Sequence, residues 1–262
     1  MFRMIGIEMF KLKKRWMPYI MLLLLLVTIF IPLLERYLSG DTRAETLVLQ
    51  DAMTSAFTAV PGLGIILVAI LAASMIGTEY GWGTLRQVLA RGTSRNQYLT
   101  AKLLTIAVVV SGGVLIAVLA GIIVNIITGT LIEGIIDWNG FAGYFFASLG
   151  RTSLMLAVYM SMAVFFAMLM RSFATGMAVT VAWYIGESTV ISQLSFGNGW
   201  WKEAVTYIIG YNINNLMAMN AADLLIDAKP WWQSCAILLA YMIVILTATY
   251  YLFHRQDLTA QE

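Results

Sequence analysis

Charged residues are scarce in this chain, and their scarcity excludes an ordinary soluble domain. Only 11% of the 262 residues are Asp, Glu, Lys or Arg, whereas soluble domains carry about a quarter. Hydrophobic residues make up 60% of the chain, which leaves too little polar material to cover a surface in water. We therefore expect lipid to surround most of the protein.

Cysteine and histidine are almost absent as well. The chain has one of each, Cys235 and His254, so an intrachain disulfide is excluded and a Cys/His zinc site lacks ligands. No Ser-His-Asp set or carboxylate pair indicates catalysis. The phosphate loop G-x-x-x-x-G-K-[ST] is missing too. We expect neither enzymatic activity nor a cofactor or metal in this chain. Its net charge of +2 gives no basis for nucleic-acid binding.

Long apolar runs are what the chain has instead. A helix needs about 20 mostly apolar residues to cross the hydrocarbon core, and six runs approach or reach this length. They are Met17–Leu34, about Thr58–Gly77, Leu103 to about Thr128, a fourth that starts between Phe141 and Thr152 and ends at Met170, about Phe173–Ile191, and about Ser234–Phe253. The alternation of a barrel strand is absent. We predict an all-α integral membrane protein with six transmembrane helices in a single domain, residues 1–262.

The distribution of basic residues predicts the orientation of these six spans. Both termini share a side of the membrane with the second-to-third and fourth-to-fifth connections. That side holds most of the basic residues: Arg3, Lys11, Lys13, Lys14, Arg15, Arg86, Arg91, Arg95, Lys102, Arg171 and Arg255. Because basic loops stay in the cytoplasm, we expect both termini to be cytoplasmic.

The amino-terminal segment, residues 1–15, mixes apolar and basic residues before the first span. This pattern favours an amphipathic helix that lies in the headgroup layer, and a simple positive-inside flank is compatible with it. The polar residues of the predicted interfacial helix are Glu8, Lys11, Lys13 and Lys14.

Residues 78–102 carry the strongest local signals of the chain. Gly81 and Gly83 are expected to end the second span, and Thr84 to cap a short helix, Leu85 to Arg91, that Gly92 closes. In that helix Leu85, Val88 and Leu89 share one side, while Arg86 and Arg91 lie away from it. Ser94 and Gln97 form a capping box for a second helix that continues through Lys102 into the third span. The segment is therefore predicted to be a helix, a sharp turn and a helix.

Such a rigid unit, continuous with two spans, could pass force from an outside motor into the membrane. A well-defined turn at the membrane surface that binds no partner would give the same local pattern. The residues alone leave both interpretations open.

The segment also resembles a known family, the type-2 ATP-binding-cassette transporter permeases. The resemblance in this segment lies in Glu79, Gly83, Thr84, Leu85, Ser94, Arg95 and Lys102, which match E-x-x-x-G-T-L, then S-R and a later K. Glu8, Lys11, Leu12 and Lys13 are similar to the E-x-x-K-L-K that opens many members. The resemblance implies six spans, a dimer of permease subunits and two separate ATPase chains that hold ATP and Mg²⁺.

The family also implies that residues 78–102 are a coupling-helix loop that meets the ATPase. The residues expected to serve this coupling are Glu79, Gly83, Thr84, Leu85, Arg86, Val88, Leu89, Arg91, Ser94 and Arg95. The predicted function is the membrane subunit of an exporter for an amphipathic or hydrophobic peptide, lipid or drug, in the bacterial cytoplasmic (inner) membrane. The alternative is a membrane scaffold or sensor that does not transport.

Two further features lie within or beyond the spans. Arg151 and Glu187 are ionisable residues inside predicted spans, where charge is costly, and we expect them to form a structural ion pair, with a contact to substrate as the alternative.

Residues 192–232 are too long for a structureless loop and are predicted to form short external helices. In the resembling family this region closes the pathway, which makes it an expected external gate.

Overall fold

The computed structural model describes residues 2–38, 48–90, 92–131, 140–195, 200–220 and 230–256. Within these ranges the chain forms ten α-helices and no strand. The helices are α1 (Phe2–Lys13), α2 (Met17–Leu38), α3 (Val48–Gly81), α4 (Thr84–Ala90), α5 (Arg95–Leu131), α6 (Phe141–Leu169), α7 (Phe173–Ser195), α8 (Trp200–Val205), α9 (Ile209–Asn220) and α10 (Trp231–Arg255). The all-α prediction is confirmed.

A helix occupies each of the six predicted spans, and four of these helices are both long and apolar enough to cross a membrane. The four, found among the described residues, are Met53–Gly81, Arg95–Val124, Phe141–Leu169 and Trp231–Arg255. A fifth arises if Met4–Lys13 and Met17–Ile31, which meet at a bend of 67°, count as one broken span. The sequence left the start of the fourth span between Phe141 and Thr152, and the helix at this span, α6, begins at Phe141.

Helix α3 forms the centre of the bundle. It packs against α2, α5, α6, α7 and α9, and small side chains such as Ala69, Ala72 and Ala73 are fully buried along it. By contrast α5 and α10 expose apolar side chains, among them Val108, Ile116, Ile243 and Val244. This division is what lipid as a solvent allows, since lipid-facing positions need no polar cover.

Two glycines let helices approach more closely than any other residue would. A Cβ atom on Gly77 of α3 would lie 2.4 Å from the backbone of Phe173, and one on Gly176 of α7 would lie 2.5 Å from the Cα atom of Ala167. Both contacts involve backbone, which cannot move aside cheaply. The first contact holds the start of α7 against α3, and the second holds α7 against the end of α6.

Candidate functional site

Helix α1, the α3–α4–α5 turn and the carboxyl end of α10 meet at one end of the bundle, which we call the basal end. Side chains of α1 and α5 form ion pairs there, and a side chain of α5 bonds the last carbonyls of α10. The basal end therefore contains residues 78–102, where the sequence predicted a functional segment.

The turn itself has the predicted helix–turn–helix form. Gly83 adopts a φ of +67° and Gly92 one of +86°, backbone conformations that favour glycine, and they flank α4 on its two sides. The Ser94 hydroxyl accepts a hydrogen bond from the Gln97 N–H at 3.3 Å, as an N-cap does. Helix α5 then runs without a break from Arg95 into the apolar region.

The apolar side of α4 packs onto the protein itself. Leu85 is buried, and Val88 and Leu89 are half-buried against the hydrophobic core. Gln87 and Ala90 are exposed on the other side, and Trp82 in the preceding turn is exposed as well. The predicted amphipathic side therefore anchors α4, and the exposed residues form the surface that a partner could reach.

Beneath this turn lies a buried group of ionisable residues that we call the basal cluster. Its members are Glu8 and Lys11 of α1, Glu79 of α3, and Tyr98 and Lys102 of α5. The Lys102 ammonium lies 2.5 Å from Glu79 Oε1 and 2.8 Å from Glu8 Oε2, and it donates to the Met75 carbonyl at 3.0 Å. All three of its N–H donors are therefore used.

The remaining contacts of the basal cluster complete its charge balance. Lys11 lies 2.6 Å from Glu8 Oε1 and 3.7 Å from Glu79 Oε1, and the Tyr98 hydroxyl donates to Glu79 Oε2. Two carboxylates thus face two ammonium groups. The Lys102 side chain is 3% exposed and the Lys11 side chain 43% exposed, so only Lys11 remains in reach of solvent. A buried pair with every group satisfied is stable, but removing one member leaves an uncompensated charge.

The electrostatic effect of the cluster is visible at Glu8. Burial alone would raise the pKa of this carboxyl group, but the Lys102 and Lys11 ammonium groups together hold the pKa below its ordinary value. The carboxylate form of Glu8 is therefore favoured, and it ties α1 to α5.

A second group of contacts, the Gln256 cluster, joins Tyr80, Arg95 and Gln256. One nitrogen of the Arg95 guanidinium donates to the carbonyls of Phe253 and His254, both at 2.8 Å, and of Gln256 at 3.0 Å. A cation at the last carbonyls of a helix satisfies groups that have no partner within the helix and opposes the negative end of the helix dipole. Arg95 thereby fixes the end of α10 to the start of α5.

The Gln256 side chain extends this connection to two further helices. Its Oε1 accepts from the Tyr80 hydroxyl at 2.6 Å, and its Nε2 donates to the Met168 carbonyl at 2.8 Å. Tyr80 is on α3 and Met168 on α6. The Tyr98 and Phe253 rings lie 5.8 Å apart and bring the two clusters together. The four longest apolar helices are thus joined at the basal end.

The predicted coupling residues consequently occupy different environments. Gly83 and Ser94 shape the turn, and Thr84, which was predicted to cap the short helix, is the first residue of α4. Leu85, Val88 and Leu89 anchor α4, and Glu79 and Arg95 bind other helices of the same chain. The structure does not describe the side chain of Arg86, and Arg91 lies outside the described residues.

The residues of the predicted interfacial helix also fall into two groups, one buried in the basal cluster and one exposed. Glu8 and Lys11 belong to the basal cluster, whereas Lys13 and Lys14 are exposed, with the Lys14 ammonium 4.5 Å from the centre of the Phe10 ring. Apolar side chains of α1, including Ile7 and Phe10, are exposed too. Helix α1 therefore has one face on α5 and another that is open.

The predicted sites missed Tyr98, Tyr80 and Gln256 and did not combine Lys102 with Glu8. One sequence signal was available for part of the set. Arg95, Tyr98 and Lys102 follow one another at spacings of three and four, so they form a polar stripe on one face at the start of an apolar helix. No comparable local signal marks Gln256.

The prediction that Arg151 pairs with Glu187 is wrong. Arg151 bonds the Ala147 carbonyl and the Ser148 hydroxyl on its own helix. Glu187 accepts from the Tyr159 hydroxyl at 2.8 Å and from the Gly210 N–H at 2.7 Å. The first turn of α9 offers free N–H groups and a positive dipole end, so it replaces the arginine as the partner of this carboxylate.

Helices α8 and α9 fall within residues 192–232, as short helices were predicted to do, while 196–199 and 221–229 lie outside the described residues. Helix α9 is held by polar contacts on three sides. Asn215 donates to Ser234 of α10 at 2.8 Å, Asn220 donates to Thr152 of α6 at 3.3 Å, and Glu187 of α7 binds its first turn. We call this the apical end, because it lies at the other end of α6, α7 and α10.

Comparison with known proteins identifies a family for this chain. No curated protein matches the chain significantly. The family profile described as ABC-2 family transporter protein matches residues 4–187, more than two thirds of the chain, and this stretch includes α1, the α3–α4–α5 turn and the whole basal cluster. The chain therefore belongs to the ABC-2 family of transporter proteins, and it is a membrane (permease) component of an ABC transporter, distinct from the ATPase.

Proposed function

We propose that this permease subunit forms, with a second permease copy, a path by which an amphipathic or hydrophobic peptide, lipid or drug leaves the cell. Two ATPase chains that bind ATP and Mg²⁺ drive the export. The complex resides in a bacterial cytoplasmic (inner) membrane with both termini of this chain in the cytoplasm. The basal end then faces the cytoplasm, where ATP is present.

The observation that carries this proposal is the mechanical continuity of α4. Its apolar side is anchored by Leu85, and the helices on both sides of it are joined to α1 by the basal cluster and to α6 and α10 by the Gln256 cluster. A push on the exposed side of α4 therefore cannot be absorbed locally. It moves α3 and α5, and these carry α1, α6 and α10 with them. In this account α4 is the coupling helix.

The proposal includes six spans, formed by α2, α3, α5, α6, α7 and α10. Helix α7 has 23 residues, or about 35 Å at helical rise, which exceeds the hydrocarbon core of about 30 Å. Its polar residues do not oppose a span, since Thr180 and Glu187 are buried against other helices. Helix α1 then lies along the cytoplasmic headgroups with Ile7 and Phe10 towards lipid.

The apical end has the properties of an external gate. Helix α9 is attached by individual hydrogen bonds of Asn215, Asn220 and Glu187 to α10, α6 and α7, and the basal end also holds α6 and α10. When α6, α7 and α10 shift, these bonds are strained together, and α9 opens the path. Loss of the Asn215–Ser234 bond is expected to make the gate leak.

Purification of the tagged chain from its host membrane tests the proposed function. We expect a nucleotide-binding chain to copurify and the complex to hydrolyse ATP, whereas the chain alone does not. Leu85→Ala loosens the anchor of α4 and should lower the ATPase rate of the complex while assembly persists. Gln233→Ala on α10, far from α4, serves as the control. A chain that brings down no nucleotide-binding partner would contradict the proposal and favour a scaffold.

A further inference from the structure

Glu187 contacts α9 and also lines a pocket on the protein. Its carboxylate borders this pocket of about 660 Å³ between α7, the start of α9 and α10, a size within the usual range of about 300–1,000 Å³ for small-molecule sites. Trp183 of α7 and Tyr241 of α10 line it, with Val179, Val190 and Ile208 as apolar walls. Glu187 is the one acidic or basic residue among the lining residues.

The charge of Glu187 has no cationic partner in the part of the chain that the structure describes. Its two oxygens accept from Tyr159 and Gly210, the Trp183 side chain and the Ile209 N–H also donate to the carboxylate, and none of these donors carries a charge. Anchoring α9 requires only acceptors, which an amide would supply in part, so the anchoring role does not account for a carboxyl group at a buried position, where its ionised form costs free energy.

The aromatic and small side chains that line the pocket favour an organic cation, as the Glu187 carboxylate does. Trp183 and Tyr241 line the pocket and are both partly exposed, and aromatic faces attract organic cations when water is excluded. Gly186 and Ala182 of α7 add no bulk to the wall, which leaves room for an apolar body beside the carboxylate. An anion would meet the Glu187 charge without any basic residue among those lining the pocket to compensate.

We propose that this pocket binds a drug-sized organic cation with an apolar body, and that Glu187, Trp183 and Tyr241 recognise it. This inference rests on the proposed function, because it names the substrate class of the exporter. The cationic centre lies beside the Glu187 carboxylate and against the aromatic rings, and the apolar body fills the space along Val179 and Val190.

The test uses tetraphenylphosphonium as a cationic probe and triphenylphosphine oxide as an uncharged probe of similar aromatic character. Affinities are measured by equilibrium dialysis on the purified permease–ATPase complex in dodecyl maltoside, a neutral detergent without a cationic headgroup that could fill the pocket. Wild type should bind both probes saturably. Glu187→Gln should weaken the cation by at least about tenfold, since a unit charge a few ångströms away is removed, and should change the neutral probe less than about twofold.

Two further variants keep the test decisive if Glu187→Gln assembles poorly. Trp183→Leu removes a ring and a hydrogen bond to Glu187 but leaves the carboxylate itself, and should weaken the cation more than the neutral probe. Tyr159→Phe removes a hydrogen bond to Glu187 but retains its charge, and should keep most of the affinity for the cation.

Three results would overturn the proposal: no saturable cation binding by wild type, as expected if a second copy of the chain covers the pocket; unchanged cation affinity in Glu187→Gln; or an equal loss for both probes, which would indicate a structural role alone. Copurification of the ATPase chain in the same preparations reports on the proposed function separately, so a failure of the pocket and a failure of the transporter assignment are distinguishable.

Discussion

At the scale of single residues, Lys102 is the member of the basal cluster whose loss should cost most. Its ammonium group contacts two carboxylates and a carbonyl while almost fully buried. We expect Lys102→Met to lower the free energy of unfolding by about 3–5 kcal/mol, because Glu8 and Glu79 keep their charges with Lys11 as the remaining cation of the cluster. The thermal unfolding midpoint in detergent measures this change through the intrinsic tryptophan fluorescence.

The control for this substitution is Lys14→Met, since Lys14 is exposed, and its effect should stay within about 0.5 kcal/mol. The double variant Glu79→Gln with Lys102→Met removes a matched pair of charges and should be more stable than Lys102→Met. If Lys102→Met unfolds like wild type, the cluster does not hold the basal end together.

Glu8 makes the stability of the basal end depend on pH. Its folded-state pKa lies below the ordinary value of 4.5, so the contribution of this carboxylate is complete above about pH 4.5 and is lost as the pH falls through the folded-state pKa. We expect the unfolding midpoint of wild type to fall in this acidic window more steeply than that of Glu8→Gln. If the unfolding midpoints of the two proteins change with pH in parallel, the ion pairs of Glu8 with Lys102 and Lys11 do not stabilise the fold.

Whether a site could be predicted from the sequence depends on how far apart its residues lie along the chain. Ser94 caps α5 as predicted, because an N-cap depends on residues within one turn. The basal cluster escaped prediction because Glu8, Glu79 and Lys102 are far apart in the sequence, and helix packing alone decides which of them meet. The Arg151–Glu187 pair was wrong for the same reason. Glu187 bonds Tyr159, which lies eight residues along α6 from Arg151, or about 12 Å at helical rise, so the two charged groups lie at different levels of the bundle.

At the scale of elements, Arg95 joins the start of α5 to the end of α10. Arg95→Ala should lower the free energy of unfolding by about 1.5–3 kcal/mol, since the three carbonyls of Phe253, His254 and Gln256 lose a charged donor. It should also reduce the ATPase rate of the assembled complex, because α10 no longer follows α5. Asn96→Ala, which removes a neighbouring exposed bond to His254, is the matched control. Equal ATPase rates in both variants would exclude this connection from coupling.

The contact between α3 and the α6–α7 turn depends on Gly77. A Cβ atom there would lie 2.4 Å from the Phe173 backbone, so Gly77→Ala should destabilise the protein by about 1–3 kcal/mol or more. Gly112→Ala in α5 meets nothing within 4 Å and should leave stability unchanged or raise it, because alanine favours a helix. Thermal unfolding of both variants tests the helix packing, and a milder effect at Gly77 than at Gly112 would contradict it.

Element boundaries show a second limit of sequence interpretation. The apolar runs placed a helix at every predicted span, but α3 and α5 extend beyond them, to 34 and 37 residues, or about 51 and 56 Å. A hydropathy pattern locates the part of a helix that lies in lipid and carries no information on polar turns beyond it. Tyr98 and Lys102 lie before the apolar run of the third span, and the Ser94 capping signal, not hydropathy, predicted the helix that positions them.

At the scale of the whole molecule, the proposed function requires the basal end to act as a single rigid unit that receives work on the exposed side of α4. The sequence predicted this unit as a local turn, because its glycines and caps are local signals. Its attachment to α1, α6 and α10 came from the structure, since Gln256 and Glu8 contact α3 and α5 only in the folded bundle. In the proposed function, coupling depends on these five helices together and not on α4 alone.

The most direct test of this claim is a cross-link from α4 to the ATPase chain. Gln87→Cys places a thiol on the exposed side of α4 in a chain whose single natural cysteine is replaced by Cys235→Ser. With a short thiol–amine cross-linker applied to inside-out vesicles, we expect Gln87→Cys to give a covalent product with the copurifying ATPase chain, while the same cysteine at Val244, on the lipid-facing side of α10, gives none. If Gln87→Cys yields no product, or reacts only from the outer face of the membrane, α4 does not receive the work of ATP hydrolysis.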